Sequence, residues 1–191
     1  MDTEKSIKYI DEVNRIILIN DDFEPEYIAP IVLKILTINE EDAKQESKQK
    51  YFVRQPIKSY INSYGGLVTE LFSLINVIIS SKTPIYTYCT GCTYSSGALL
   101  LISGHKRFAY KRSHIMIHSV FTGGIYDRYQ QFIESAEKSK DIQKMIWDYV
   151  ICNTNILNKQ LDEITIKKQD WFMYGEEAKE LGIIDEVIDD E

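Results

Sequence analysis

The sequence predicts an α/β protein built on a mostly parallel sheet, and three observations predict it. Strand-like and helix-like patterns alternate from residue 15 to about residue 104, the signature of consecutive βαβ units. The strand candidates Arg15-Ile16-Ile17-Leu18-Ile19 and Pro84-Ile85-Tyr86-Thr87-Tyr88 are short β-branched and aromatic runs, as buried strands are. Two strand candidates end in glycine-bearing breaks, at 63–66 and 91–95, and loops at the C-terminal ends of parallel strands are where such folds usually carry chemistry.

Each element has a local reason. Residues 1–14 are polar and read as a short arm. A turn at Asn20-Asp21-Asp22 follows the first strand. Residues 23–38 then read as a helix, with Pro25 in its first turn and Ile28, Val32, Ile35 and Leu36 at core spacing. Pro30 is awkward inside it, so a late start or a kink is expected. Residues 40–50 are a polar mixture that suits a solvated helix extension or a surface loop. Ile57-Lys58-Ser59-Tyr60-Ile61-Asn62 alternates like a strand. Leu67, Leu71, Leu74, Ile75 and Ile78 then recur at helical spacing, predicting a helix over 68–81. After the strand at 84–88, Gly91 is expected to turn the chain into a helix opened by small residues and continued by Ala98-Leu99-Leu100-Leu101-Ile102.

Past Gly104, residues 107–110 and 114–118 read as short strands and Gly123-Gly124 as a break. Residues 126–154 form a long amphipathic stretch with Phe132, Ala136, Ile142, Met145, Ile146, Tyr149 and Val150 on or near one face. A further helix is expected at 157–166, an apolar run at Trp171-Phe172-Met173, and a helix over 175–181 closed by Gly182. A strand-like run at 183–188 comes last. The whole chain, 1–191, reads as a single domain.

Composition narrows the function. The 191 residues suffice for one substantial core, with 44% hydrophobic and 27% charged residues. A formal net charge of -7 argues against nucleic acid or an anionic membrane surface as partner. No apolar run approaches the roughly 20 residues of a membrane span. Three cysteines and no signal-peptide pattern predict reduced thiols and a cytoplasmic setting.

Three constellations could carry chemistry. Cys89-x2-Cys92 with His114-x3-His118 superficially copies a two-Cys, two-His zinc pattern. The gap between the pairs exceeds a zinc finger's roughly 12 residues, and the histidines sit in a strand pattern. The second is a serine, Ser95 or Ser96, at the start of a helix, where backbone N–H groups and the dipole favour a developing oxyanion. Its plain alternative is Ser95 as a helix cap. A serine nucleophile needs a base. His118 at a strand end is the candidate, His114 on the same strand face is the rival, and His105 in a basic turn reads as solvated. The third is Asn62-Ser63-Tyr64-Gly65-Gly66, whose glycines can aim backbone N–H groups into a concavity or simply turn the chain into a helix.

Taken together, these pieces resemble the caseinolytic (Clp) protease proteolytic subunit family, serine peptidases of the crotonase-like superfold. The resemblance runs from about residue 15 to 188. It rests on Tyr60-Ile61-Asn62-Ser63-Tyr64-Gly65-Gly66, then Cys89-Thr90-Gly91-Cys92-Thr93-Tyr94-Ser95-Ser96-Gly97-Ala98 and Ile115-Met116-Ile117-His118. It continues with Gly123-Gly124, Asp170-Trp171-Phe172-Met173 and Glu177-Ala178-Lys179-Glu180-Leu181-Gly182-Ile183-Ile184-Asp185.

The resemblance implies a ββα superhelix with residues 126–154 as the handle that interlocks two rings. It implies Ser95 as nucleophile, His118 as general base and Asp170 as the acid that orients it. The N–H groups of Gly65 and Ser96 would form the oxyanion hole. The backbone of Gly66, Leu67 and Val68, with the segment after Gly124, would hold an extended polypeptide substrate. No metal or organic cofactor is needed. The family assembles homo-oligomeric rings, usually heptamers stacked into a hollow tetradecamer, whose closed chamber calls for an unfolding AAA+ ATPase partner. Against this pattern, Tyr64 replaces a proline, Thr93-Tyr94 replaces two alanines, and Ser96 stands where the family usually has methionine. The loop after His118 is one residue longer, residues 40–55 look inserted, and the arm before Arg15 is short for axial docking loops. Two other readings remain beside the peptidase: a catalytically weak ring subunit modulating an active paralogue, and an acyl-CoA hydratase or isomerase on the same superfold.

Overall fold

The computed structural model describes residues 10–11, 13–120 and 129–189. Among these, eight strands form one mixed sheet: β1 (Ile10–Asp11), β2 (Ile16–Ile19), β3 (Ile57–Ser63), β4 (Ile85–Tyr94), β5 (Lys106–Tyr110), β6 (His114–Ile117), β7 (Trp171–Tyr174) and β8 (Glu186–Ile188). The main path runs β1-β2-β3-β4-β5-β8, and β6 leaves it to pair with β4 and β7. All pairings are parallel except β1 with β2 and β6 with β7. Three helices make the crossovers between successive parallel strands: α1 (Pro25–Lys48), α2 (Val68–Ser80) and α3 (Ser96–Ile102). The segment expected to form a handle holds α4 (Tyr129–Asn153), followed by α5 (Asn158–Lys167) and α6 (Gly175–Glu180). The fold is that of the predicted α/β class.

The apolar patterns explain the layers. β2, β3 and the first half of β4 place Ile17, Ile19, Ile57, Ile61, Ile85 and Cys89 in the core, where α2 covers them with Leu71, Leu74, Ile75 and Ile78. On the other face Tyr60, Tyr88 and Phe108 stack across three strands, with both centroid distances 4.7 Å, as neighbouring cross-strand aromatics do.

Several sequence expectations need correction. The first helix runs without interruption through Pro30 and on to Lys48; of the two readings of the polar stretch at 40–50, the helix extension is the one the structure takes. Its buried stripe is Ile28, Ile31, Ile35, Ile38 and Asp42. Val32 only flanks that stripe and Leu36 is exposed. Burial of four isoleucines outweighs the backbone hydrogen bond that Pro30 cannot donate. Phe23 is not helical: it bridges Gly66 and is fully buried. The polar arm contains β1. On α4 the buried residues are Ile146, Trp147 and Val150, whereas Phe132 and Met145 are exposed. Gly123-Gly124 and the first residues of the expected handle lie outside the described residues. No described helix is long and apolar enough to cross a membrane.

One charged group sits in the core. Asp42, on α1, accepts two hydrogen bonds from the Arg15 guanidinium at 2.6 and 2.8 Å and one from Thr83 Oγ1 at 2.7 Å. Arg54 donates to Thr83 Oγ1 at 3.2 Å and pairs with Glu46. This network joins the entry to β2, the middle of α1 and the entry to β4. Arg15 beside it holds the Asp42 carboxyl below the usual carboxylate range. Because the folded-state value is lowered, the stabilisation is present above about pH 4 and is lost as pH falls through that lowered value. Asp42→Asn should cost about 2–3 kcal/mol, since Arg15 keeps some access to water. The check is the denaturant midpoint at pH 7, with the gap between wild type and variant narrowing below pH 4.

Candidate active site

The candidate site forms where β4 gives way to α3. The expected glycine turn is absent: β4 continues through Gly91 to Tyr94. Ile61 pairs with Cys89, but Ser63 pairs with Thr93, so β4 carries two extra residues in a bulge. Asn62 pins that bulge by accepting the Cys92 N–H at 2.9 Å through its side chain. A Cβ on Gly91 would come within 2.5 Å of the same Asn62 oxygen, which is why glycine is needed there.

Beyond the bulge the free edge of β4 pairs with β6, Cys92 opposite His114 and Tyr94 opposite Met116. Ser95 ends this ladder by donating its N–H to Met116 O at 2.8 Å. Its backbone has φ 54° and ψ -121°, a conformation an L residue adopts only at a cost of roughly 1–3 kcal/mol. Although Ser95 occupies the N-cap of α3, its side chain makes no capping bond. Its Oγ instead stands 2.8 Å from His118 Nε2.

Sheet register explains how His118 comes to face Asp170. β6 and β7 run antiparallel with His114 opposite Tyr174, Met116 opposite Phe172 and Ile117 opposite Trp171. One step further puts His118 opposite Asp170, and their Nδ1 and Oδ1 atoms are 3.8 Å apart. That separation aligns the pair without bonding it. Apo sites commonly hold such contacts long and tighten them when substrate binds. With its proton on Nδ1, facing the carboxylate, the imidazole presents a lone pair from Nε2 to the serine hydroxyl. A hydroxyl so placed is poised for general-base activation.

The other predicted residues sort themselves around this pair. Gly65 and Gly66 have φ of 107° and 140°. A Cβ on Gly65 would lie 2.9 Å from Ser95 Cβ, and one on Gly66 would lie 2.4 Å from Phe23 N. The Gly65 N–H, expected to serve an oxyanion, donates to Ser63 Oγ at 3.1 Å. Gly66, not Gly65, lines the cavity beside Ser95. Ser96 is buried, and its hydroxyl donates to Gly66 O at 2.9 Å, tying the helix start to the glycine turn.

The strand edge expected at Gly66, Leu67 and Val68 is largely occupied. Leu67 donates its N–H to Phe23 O and accepts from Leu71 N, and Val68 already begins α2. Gly66 and Val68 line the cavity, whereas Leu67 does not. The segment after Gly124 lies outside the described residues.

The cavity holds about 230 Å³ and is walled mainly by Val68, Leu99, Ile117, Val120, Ile146 and Trp147. Trp147 is anchored by its indole N–H on Thr165 Oγ1 at 3.1 Å, and Val120 N–H is held by Gln143 Oε1 at 2.6 Å. Sequence reading missed Trp147, although it stands one helical turn before Val150 and so shares the buried face of α4. Larger hollows of about 610 and 860 Å³ lie elsewhere and contain neither Ser95 nor His118.

The remaining histidines and cysteines do not join the site. His114 packs edge-on to Tyr174 with centroids 5.0 Å apart, and His105 accepts the Ile85 N–H through Nδ1 at 3.1 Å. Cys89 is buried against Thr93 Oγ1, and burial pushes its thiol up. With His118 turned to Ser95, the four residues of the zinc-like spacing do not converge.

A family model described as Clp protease matches residues 2–191. The match spans the whole fold, from β1 to β8 and through every residue described above. This chain belongs to the Clp protease family.

Proposed function

We propose that the protein is a serine endopeptidase acting through Ser95, His118 and Asp170. The observation that carries the reading is the 2.8 Å contact between Ser95 Oγ and His118 Nε2, made by a serine in a strained backbone conformation. Family membership supports a peptidase in general. The assignment of roles rests on the geometry of this chain.

In this mechanism Ser95 Oγ attacks the scissile carbonyl carbon while His118 Nε2 takes its proton. Asp170 keeps the imidazole in the reactive tautomer and stabilises the charge it acquires. The carbonyl oxygen becomes an oxyanion, and the N–H of Ser96 at the start of α3 is one donor for it. The second donor is assigned to Gly66 in place of Gly65, because the Gly65 N–H is spent on Ser63. The imidazolium then protonates the departing amine. Water enters, His118 removes its proton, and the acyl group leaves Ser95 as a carboxylate. No metal or organic cofactor takes part. The apolar walls beside Ser95 suit an apolar side chain next to the scissile bond.

This chemistry uses the hydroxyl–imidazole contact directly, which favours it over acyl-CoA hydration or isomerisation on the same superfold. The family usually forms rings, and we assign the chain to a homo-oligomeric ring or double ring, with exposed Met145 on α4 offered to a second copy. Substrates in this reading are polypeptides in extended form, the setting is cytoplasmic, and an AAA+ unfoldase is the partner that the resemblance implies.

Ser95→Ala and His118→Ala should each abolish peptide hydrolysis and fluorophosphonate labelling while particle size stays that of wild type. Labelling that survives in Ser95→Ala and vanishes in Ser96→Ala would move the nucleophile by one residue. Asp170→Asn should lower kcat by about 10⁴, as loss of the orienting acid does in triad enzymes. Steady-state kinetics on a fluorogenic peptide with an apolar residue before the cleaved bond reads this out.

A further inference from the structure

Tyr64, Tyr94 and Phe172 form a chain of rings beside the proposed catalytic residues. Tyr94 meets Tyr64 with centroids 5.6 Å apart at 70°, and meets Phe172 with centroids 5.6 Å apart at 88°. Both are edge-to-face contacts, whose energy depends on ring direction and not only on buried area. Each ring belongs to a different segment of the site. Tyr64 precedes the Gly65-Gly66 turn, Tyr94 precedes Ser95, and Phe172 follows Asp170 by two residues, which puts both on one face of an extended strand.

Register places Tyr94 and Phe172 in the row next to that of His118 and Asp170. Tyr94 is opposite Met116 and Met116 opposite Phe172; the adjacent row holds His118 and Asp170. A tyrosine before the proposed nucleophile is bulky enough to reshape the pocket or the oxyanion geometry. In three dimensions Tyr94 is not among the residues lining the cavity at Ser95. Its ring lies between Tyr64 and Phe172. Asp170, in contrast, lies just before β7, is 53% exposed and stands 3.8 Å from His118. Nothing within that pair fixes the carboxylate to the imidazole in the free chain, so the position of β7 decides whether the two can close to bonding distance.

We propose that Tyr94 is a positioning residue: its ring, backed by Tyr64, holds Phe172 and so holds the strand end that presents Asp170 to His118. The inference rests on the peptidase reading and adds no step to it. The three side chains do the chemistry; the ring decides how often the carboxylate is in place when the imidazole takes its proton. A displacement of about 1 Å at such a contact is enough to slow a reaction by up to roughly a hundredfold.

The test is a double-mutant cycle on the full chain, with thermal melting and particle size as controls. Tyr94→Phe keeps the ring and should retain kcat within about twofold of wild type. Tyr94→Leu keeps an apolar side chain without the ring, and should lower kcat about tenfold with KM within about twofold. In an Asp170→Asn background the same Tyr94→Leu change should move kcat by less than about twofold, because the group it positions is gone. For slow variants the rate of fluorophosphonate labelling replaces kcat.

Equal losses in both backgrounds, a loss confined to KM, or a Tyr94→Leu enzyme as fast as wild type would each overturn the proposal. Should Tyr94→Leu melt early or fail to assemble, Phe172→Leu cycled against Asp170→Asn probes the same contact from its other partner, with the same two outcomes. A wild-type protein that neither hydrolyses peptide nor labels at Ser95 removes the peptidase reading and this inference with it. An active wild type with additive losses removes this inference alone.

Discussion

Strand β4 is two residues too long for the strand beside it, and the arrangement around Ser95 follows from that mismatch. Up to Cys89 the strand pairs with β3 on one edge and β5 on the other. The extra residues then shift the register, and from Cys92 the free edge takes β6 as its partner. Bulges bend a strand and re-aim the side chains that follow. Here the bulge depends on two small facts, the missing Cβ of Gly91 and the Asn62 amide that fills the space and accepts the Cys92 N–H. Both are close at hand in space, yet they decide which strand neighbours Ser95.

The pairing of β6 with β4 and of β7 with β6 then brings three distant residues together by counting along strands. Ser95 closes the β4–β6 ladder with its own N–H. His118 and Asp170 extend the β6–β7 register by one step. The hydroxyl and the imidazole meet at 2.8 Å because the Ser95 backbone turns into positive φ, which lifts Oγ away from the cap position it would otherwise occupy. The surrounding contacts must hold that turn against its strain. Gly65 packs so close behind it that a Cβ there would collide with Ser95, and the Ser96 hydroxyl fastens the helix start to Gly66.

The departures from the family pattern gain a common explanation in this frame. Tyr64 and Tyr94, which the resemblance sets against a proline and an alanine, turn their rings toward each other and toward Phe172. Ser96, which the resemblance sets against a methionine, finds a carbonyl partner in the adjacent turn and remains buried. Buried polar groups are tolerated when they are hydrogen-bonded, and exposed rings when they have directed contacts.

The amino-acid sequence by itself determined the class of fold, the alternation of strands and helices through residue 104, and the family. These depend on local signals: apolar periodicity in α2, β-branched runs in β2 and β4, and the order of short motifs. The resemblance carried by its motifs also pointed to Ser95, His118 and Asp170 as the candidate site, where the residues alone left Ser95 beside Ser96 and His118 beside His114. The sequence did not determine that β4 continues through Gly91, that α1 runs through Pro30, or that the Gly65 amide turns to Ser63. Those outcomes depend on partners distant in the chain, Asn62 across the sheet and the isoleucine stripe under α1. Nor could spacing alone tell whether the Tyr94 ring enters the pocket or leaves it. Ring direction and amide direction are fixed only when several segments pack at once, and the tertiary structure alone brings those segments together.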